Sequence, residues 1–215
     1  MSPQNLKQPF MIYPVIKRML DVVCAVIGIV GTSPLWLLAI VGILVSDWGP
    51  LFYTAHRIGR GNRPFKMYKF RSMRVLRQSR AGAEASLRPD ADRIFPFGNF
   101  IRKVKIDELP QLINVLKGDM ALIGPRPLLV QYLPLYSKEQ ARRHDVRPGI
   151  SGWAQCHGRN AISWTEKFKL DVWYVDHCTL MTDLKVIFIT IKKVLVRDGI
   201  SAEGQATMEA FNGKN

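Results

Sequence analysis

Lys105-Ile106-Asp107-Glu108-Leu109-Pro110-Gln111-Leu112-Ile113-Asn114-Val115-Leu116-Lys117-Gly118-Asp119-Met120 sets two adjacent carboxylates at the head of a short helical pattern. Pro110 suits a first helical turn, where its missing N–H is no loss, and Leu112, Ile113, Val115 and Leu116 then supply one apolar face. Gly118 ends the pattern. Consecutive helical residues point about 100° apart, so Asp107 and Glu108 cannot act as a symmetric pair and are expected to divide the work. A carboxylate can attack phosphorus while its neighbour holds a hard cation such as Mg²⁺ through oxygen. Acidic residues also suit the positive end of a helix dipole, so this stretch alone leaves both readings open.

The setting makes the acids conspicuous. The chain has 215 residues, 31 Lys and Arg against 17 Asp and Glu, and a formal net charge of +14. That length predicts one domain with one sizeable core, and the charge predicts anionic partners: phosphorylated small molecules, an anionic membrane face or nucleic acid. The three cysteines, Cys24, Cys156 and Cys178, are odd in number and widely spaced, which fits neither a disulfide framework nor zinc-ligand spacing.

Upstream, residues 1–14 read as a flexible lead-in with three prolines, and residues 15–47 as a membrane element. From Val22 to Ser46 there are 25 residues without a charged side chain, enough as a helix to cross a hydrocarbon core of about 30 Å. Pro34 interrupts the run by removing one backbone hydrogen bond and crowding the carbonyl of Val30. The break at Ser33-Pro34, with Ser33 placed to bond freed carbonyls, predicts two short legs that enter and leave by one face. Basic residues on both flanks (Lys7, Lys17 and Arg18 before, a dense block after) favour this hairpin, with both ends cytoplasmic. A proline-kinked spanning helix fits the same residues.

The block from His56 to Arg80 carries Arg57, Arg60, Arg63, Lys66, Lys69, Arg71, Arg74, Arg77 and Arg80 without an acid. Within it Phe65 to Phe70 alternates apolar and basic residues, a strand signal. Residues 79–93 read as a mobile helix or loop. Arg102 and Lys103 lie about a turn before Asp107 and are candidates to neutralise a phosphate. Arg126, held between Pro125 and Pro127, suits bidentate phosphate recognition. Trp153 is a candidate to stack on a base or sugar, or to be core. Leu184 to Val196, interrupted by Lys185, Lys192 and Lys193, suits a helix lying in a headgroup layer or an ordinary core helix. Residues 203–215 are expected to be a disordered tail.

The series Ser33-Pro34, Lys69-Phe70-Arg71-Ser72-Met73, Asp107-Glu108-Leu109-Pro110-Gln111, Leu116-Lys117-Gly118-Asp119-Met120, Gly124-Pro125-Arg126-Pro127, Arg147-Pro148-Gly149-Ile150 and Gly158-Arg159-Asn160 resembles the bacterial sugar transferases, specifically the small monotopic phosphoglycosyl transferases. The resemblance runs in order from about residue 14 to about 200. It implies transfer of a phospho-sugar from a UDP-sugar to undecaprenyl phosphate, with UMP released and Mg²⁺ required, at the cytoplasmic face of the bacterial inner membrane. By that likeness Asp107 is the nucleophile and helps Glu108 hold the metal, and Lys69, Arg71, Arg102, Arg126 and Arg159 bind substrate. Ser33 and Pro34 mark the break of a re-entrant helix. The implied fold is mostly α with minor β (α/β-type): a re-entrant helix-break-helix and interfacial amphipathic helices around a catalytic domain at residues 48–202. Ser151, where the family often has threonine, and Cys156-His157, where valine-asparagine is common, depart from its pattern. A membrane-tethered nucleic-acid-binding module is the rival from another class; no recognisable DNA- or RNA-binding motif accompanies the charge.

Overall fold

The computed structural model describes residues 12–75, 93–158, 162–196 and 210–213. Helices dominate. Helix α1 (Ile12–Gly31) and α2 (Ser33–Ser46) are followed by an antiparallel hairpin of β1 (Phe52–Ile58) and β2 (Pro64–Phe70). Then come α3 (Pro96–Lys103), a 3-10 turn at Ile106–Glu108, α4 (Gln111–Lys117), β3 (Ala121–Ile123), a 3-10 turn at Val130–Leu135 and α5 (Lys138–Ala141). The chain continues through β4 (Gly149–Ser151), α6 (Trp153–His157), α7 (Trp164–Asp176) and α8 (Leu180–Val196). β3 and β4 form a separate parallel pair, Ala121 opposite Gly149 and Ile123 opposite Ser151.

α1 begins at Ile12, inside the expected lead-in, because Pro14 falls in the first turn where no N–H is needed. The helices α1 and α2 bend by 59° at their break, and among the described residues no single helix is long and apolar enough to cross a membrane. Pro34 sits in the first turn of α2. The hydroxyl that bonds the backbone at the break is that of Thr32: it donates at 2.6 Å to the Gly28 carbonyl, which also accepts the Thr32 N–H at 2.9 Å, and it accepts from the Trp36 indole at 3.2 Å. Thr32 precedes the proline by two residues and so still faces the preceding turn.

Both legs pack on the segments that carry the acids. Ala25 of α1 joins Phe65, Met67, Leu112, Val115 and Met120 in one core cluster. Ala39 and Ile43 of α2 join Phe70, Phe95, Ile101 and Ile106 in another. Gly42 lets the Phe97 ring lie on α2, where a Cβ would come within 2.2 Å of it. Outward, the legs present bare hydrocarbon: Ile27, Val30, Leu37 and Val45 are 64–82 % exposed. α8 is two-sided as well, burying Thr182, Asp183 and Val186 while Met181, Leu184, Phe188 and Ile191 form an exposed apolar stripe at helical spacing.

A buried polar cluster ties α1 to α8. Asp183 of α8 accepts from the hydroxyls of Tyr13 (2.7 Å) and Tyr174 (2.6 Å) and from the Lys17 ammonium. Asp21 accepts from the backbone N–H of Leu122 at 3.1 Å. The expected disordered tail is corrected at Ala210–Gly213: Phe211 is buried among Tyr132, Tyr136, Trp164 and Phe168. A lone aromatic in a polar tail has no periodicity to announce it, and burying its ring offsets the entropy of ordering a short segment. The rest of 203–215 and the predicted loop before Arg93 lie outside the described residues.

Candidate active site

The carboxylates stand on the 3-10 turn between α3 and α4. Lys105 enters that turn at φ 61°, a left-handed conformation uncommon outside glycine, and this reverses the chain so that Ile106 drops into the α2 cluster. Asp107 is only 7 % exposed. Its Oδ1 is buried without a hydrogen-bond partner, and its Oδ2 lies 4.0 Å from the Lys69 ammonium. Glu108 is held differently: its Oε1 accepts from Lys69 at 2.8 Å and from Arg126 at 3.3 Å.

Lys69 is positioned through α4. Fully buried Asn114 donates to the Lys66 carbonyl at 2.7 Å and accepts from the Tyr68 N–H at 2.9 Å, stitching β2 to the helix directly behind the acids. The C-terminal carbonyls of α4 are satisfied by two arginines, Arg18 on Leu116 O (2.9 Å) and Arg147 on Gly118 O (2.9 Å). Arg126 is brought in by β3, whose end crosses the Arg147-Pro148-Gly149 backbone so closely that a Cβ on Gly124 would lie 2.4 Å from the Arg147 carbonyl. Its own carbonyl accepts from Arg143 at 2.7 Å, and Arg143 is paired with Asp171 in the interior at 2.7 Å.

The two acids are driven in opposite directions. Burial lifts Asp107 above the ordinary carboxylate range, outweighing the nearby charges of Lys69, Lys105 and Arg102. Burial would also lift Glu108, but Arg126 and Lys69, with Lys105 behind, hold it at about 2. Glu108 is therefore a fixed anion, while Asp107 is a desolvated carboxylate with an unused oxygen, the better nucleophile and the group with most to gain from a cation or a bond. Among the described residues no three His, Cys, Asp or Glu side chains converge on a metal position. The unpartnered Oδ1 of Asp107 beside Glu108 nevertheless fits a hard divalent ion that takes one or two carboxylates and completes its shell with phosphate and water.

Of the residues expected at the site, Asp107, Glu108, Lys69 and Arg126 are brought together, and Arg102 stands exposed on the last turn of α3 within electrostatic reach. Arg71 is corrected: it is 3 % exposed, committed to the carboxylate and carbonyl of Asp47, and lies over the Phe95 ring. It clamps the end of α2 to β2 instead of facing a ligand. Ser33 and Pro34 belong to the helix break, and Arg159 lies outside the described residues. Trp153 does not offer a stacking face, since His157 covers it at 3.9 Å and Trp173 at 4.3 Å. Sequence reasoning passed over Asn114, whose signal was a lone amide on the apolar face of α4, and the role of Lys105, which no sequence pattern distinguishes from its basic neighbours.

A family model described as bacterial sugar transferase matches residues 12–197. The chain is 49 % identical over 199 residues to the uncharacterized sugar transferase EpsL of Bacillus subtilis (strain 168), covering 93 % of this chain and 96 % of that protein. It is 43 % identical over 197 residues to the UDP-N-acetylgalactosamine-undecaprenyl-phosphate N-acetylgalactosaminephosphotransferase of Aeromonas hydrophila, covering 89 % of this chain but 46 % of that one. It is 38 % identical over 191 residues to the UDP-glucose:undecaprenyl-phosphate glucose-1-phosphate transferase of Xanthomonas campestris pv. campestris, covering 85 % and 39 %. The last two relatives are thus more than twice as long as the part this chain matches.

Proposed function

The chain belongs to the bacterial sugar transferase family and is a transferase, and from that premise we propose that it moves a sugar phosphate from a UDP-sugar to undecaprenyl phosphate. The observation that carries this reading is the asymmetry of the acid pair, Glu108 neutralised by two cations and Asp107 desolvated with one oxygen free. An Asp107 oxygen attacks the β-phosphorus. The bond from that phosphorus to the bridging oxygen breaks, and its electron pair departs on UMP. A phosphate oxygen of the lipid then attacks the same phosphorus, and the acyl-phosphate bond returns its electrons to Asp107. Lys69 and Arg126 stand where they neutralise charge spreading over the transferred group. Mg²⁺, held by Asp107 and Glu108, would supply further neutralisation of the diphosphate.

The bent helix pair supports a place at the membrane. A 59° bend leaves an interior angle of roughly 120°, so legs lying symmetrically reach a depth on the order of 10 Å, within one leaflet. The exposed faces of both legs and the stripe on α8 are the surfaces that lipid would cover, with the acids just behind α2. On this reading the protein is a monotopic enzyme on the cytoplasmic face of the inner membrane, acting at the first membrane step of glycan assembly.

A shared carboxylate predicts ping-pong kinetics. Incubated with a panel of UDP-sugars and no lipid acceptor, the protein releases UMP from its true donor to no more than one equivalent, and sustained release begins only with undecaprenyl phosphate. Absence of UMP with every donor, or release that needs both substrates together, refutes the reading.

A further inference from the structure

Arg57 of β1 has no place in the mechanism above, yet its situation is unusual. Its Nε is buried without a hydrogen-bond partner, and no carboxylate pairs with it among the described residues. Burial, with the charge of Arg126 beside it, pushes its pKa down against the opposing influence of Tyr53. The charge of Arg126 thus reaches Arg57, and of the two only Arg126 touches an acid, Glu108. The backbone holds them there: Arg57 is bridged to Leu129, and the Ile58 N–H donates to the Leu128 carbonyl at 3.1 Å, so the segment carrying Arg126 is fastened to β1.

Among the described residues Arg57 has no counterion beside it until an anion arrives. We propose that Arg57 and Arg126 together form the clamp for the donor phosphate that leaves with the nucleoside, Arg57 binding it on the departing side. The inference rests on the transferase reading above. Its direction comes from where the cations sit. Arg102 and Lys105 adjoin Ile101 and Ile106, which pack on Ala39 and Ile43 of α2, so they lie on the side from which a lipid phosphate comes. Arg57 and Arg126 lie beside the cluster of Leu128, Leu129, Tyr132 and Trp164, to which neither α1 nor α2 contributes a residue. That side, free of α1 and α2 residues in its cluster, is the one assigned to the water-soluble nucleotide.

When the β-phosphorus passes to Asp107, the electron pair of the broken bond appears on an oxygen of the nucleoside monophosphate. A second guanidinium there stabilises charge that is greater after the step than before it. Arg57→Gln is expected to raise both the KM for UDP-sugar and the inhibition constant of UMP on the order of 10-fold or more, as befits loss of a charge-assisted bond. The KM for undecaprenyl phosphate stays within about twofold. Arg57→Lys, which keeps the charge but not the fork, gives an intermediate UMP constant.

An unchanged UMP constant in either variant overturns the proposal, as does a rise in the KM for the lipid instead. Should Arg57→Gln fail to fold, Arg57→Lys carries the test alone, with its thermal midpoint recorded beside the UMP constant. Wild-type protein that releases no UMP refutes the reaction itself; an active wild type with an Arg57 variant of unaltered UMP affinity refutes only the clamp.

Discussion

Asp107→Asn is expected to abolish UMP release, with a fall in rate on the order of 10³-fold or more, as when the nucleophile of a covalent mechanism is removed. The amide matches the carboxyl in shape, so the turn at Ile106–Glu108 and its packing against α2 persist. It carries no charge to attack phosphorus. Stability is expected to hold or rise at neutral pH, and the sign follows from burial. The folded state lifts the pKa of Asp107 above its unfolded value, so ionisation favours unfolding as pH rises through that interval, and the neutral amide removes the penalty. Activity and stability therefore move in opposite directions. Undiminished UMP release from a folded Asp107→Asn protein removes Asp107 from the chemistry.

Arg143→Met is expected to be the most damaging single change away from the acids. Arg143 and Asp171 are a hydrogen-bonded pair in the interior, both at most 3 % exposed, joined by Nε at 3.0 Å and Nη2 at 2.7 Å. Removing the cation strands a buried carboxylate, which typically costs about 3–5 kcal/mol. Denaturant unfolding in detergent measures it. Adding Asp171→Leu is expected to recover much of that loss, because an apolar pair of similar volume replaces a desolvated one. The double variant does not recover catalysis. Arg143 also holds the backbone carbonyl of Arg126, and without it the guanidinium facing Glu108 loses its fixed support, so the KM for UDP-sugar stays raised. If the double variant is as unstable as Arg143→Met alone, the stranded charge is not the cause.

Much of this arrangement was legible in the residues because local rules set it. Alternation marked β2, Pro110 and Gly118 flank α4 as its N- and C-cap residues, and Pro34 stands at the break of the long apolar run. Adjacency alone implied that Asp107 and Glu108 are not equivalent: Lys69 lies near both, at 4.0 Å from Asp107 and 2.8 Å from Glu108, while Arg126 reaches Glu108. What stayed hidden depends on contacts between distant segments. Arg71 looked like one more substrate cation because nothing in a basic block discloses that Asp47, 24 residues earlier, has claimed it. Trp153 could stack on a ligand or belong to the core, and only α7, bringing Trp173 against it, decides for packing. Phe211 had no pattern at all, and Asn114 was passed over among apolar neighbours although it is the bolt between β2 and α4. Charge, in particular, is a poor guide to role within the chain: Arg57, Arg71, Arg126 and Arg143 share a side chain and differ only in what the fold sets beside it.

The covalent step itself is open to one direct measurement. Protein loaded with its UDP-sugar in the absence of lipid acceptor, quenched with denaturant and digested, is weighed peptide by peptide. The expected result is the mass of one sugar phosphate on the fragment containing Asp107, lost on addition of undecaprenyl phosphate and missing from Asp107→Asn. UMP release without that added mass, or with the mass on any other residue, contradicts the assignment of Asp107 as the group that carries the sugar phosphate.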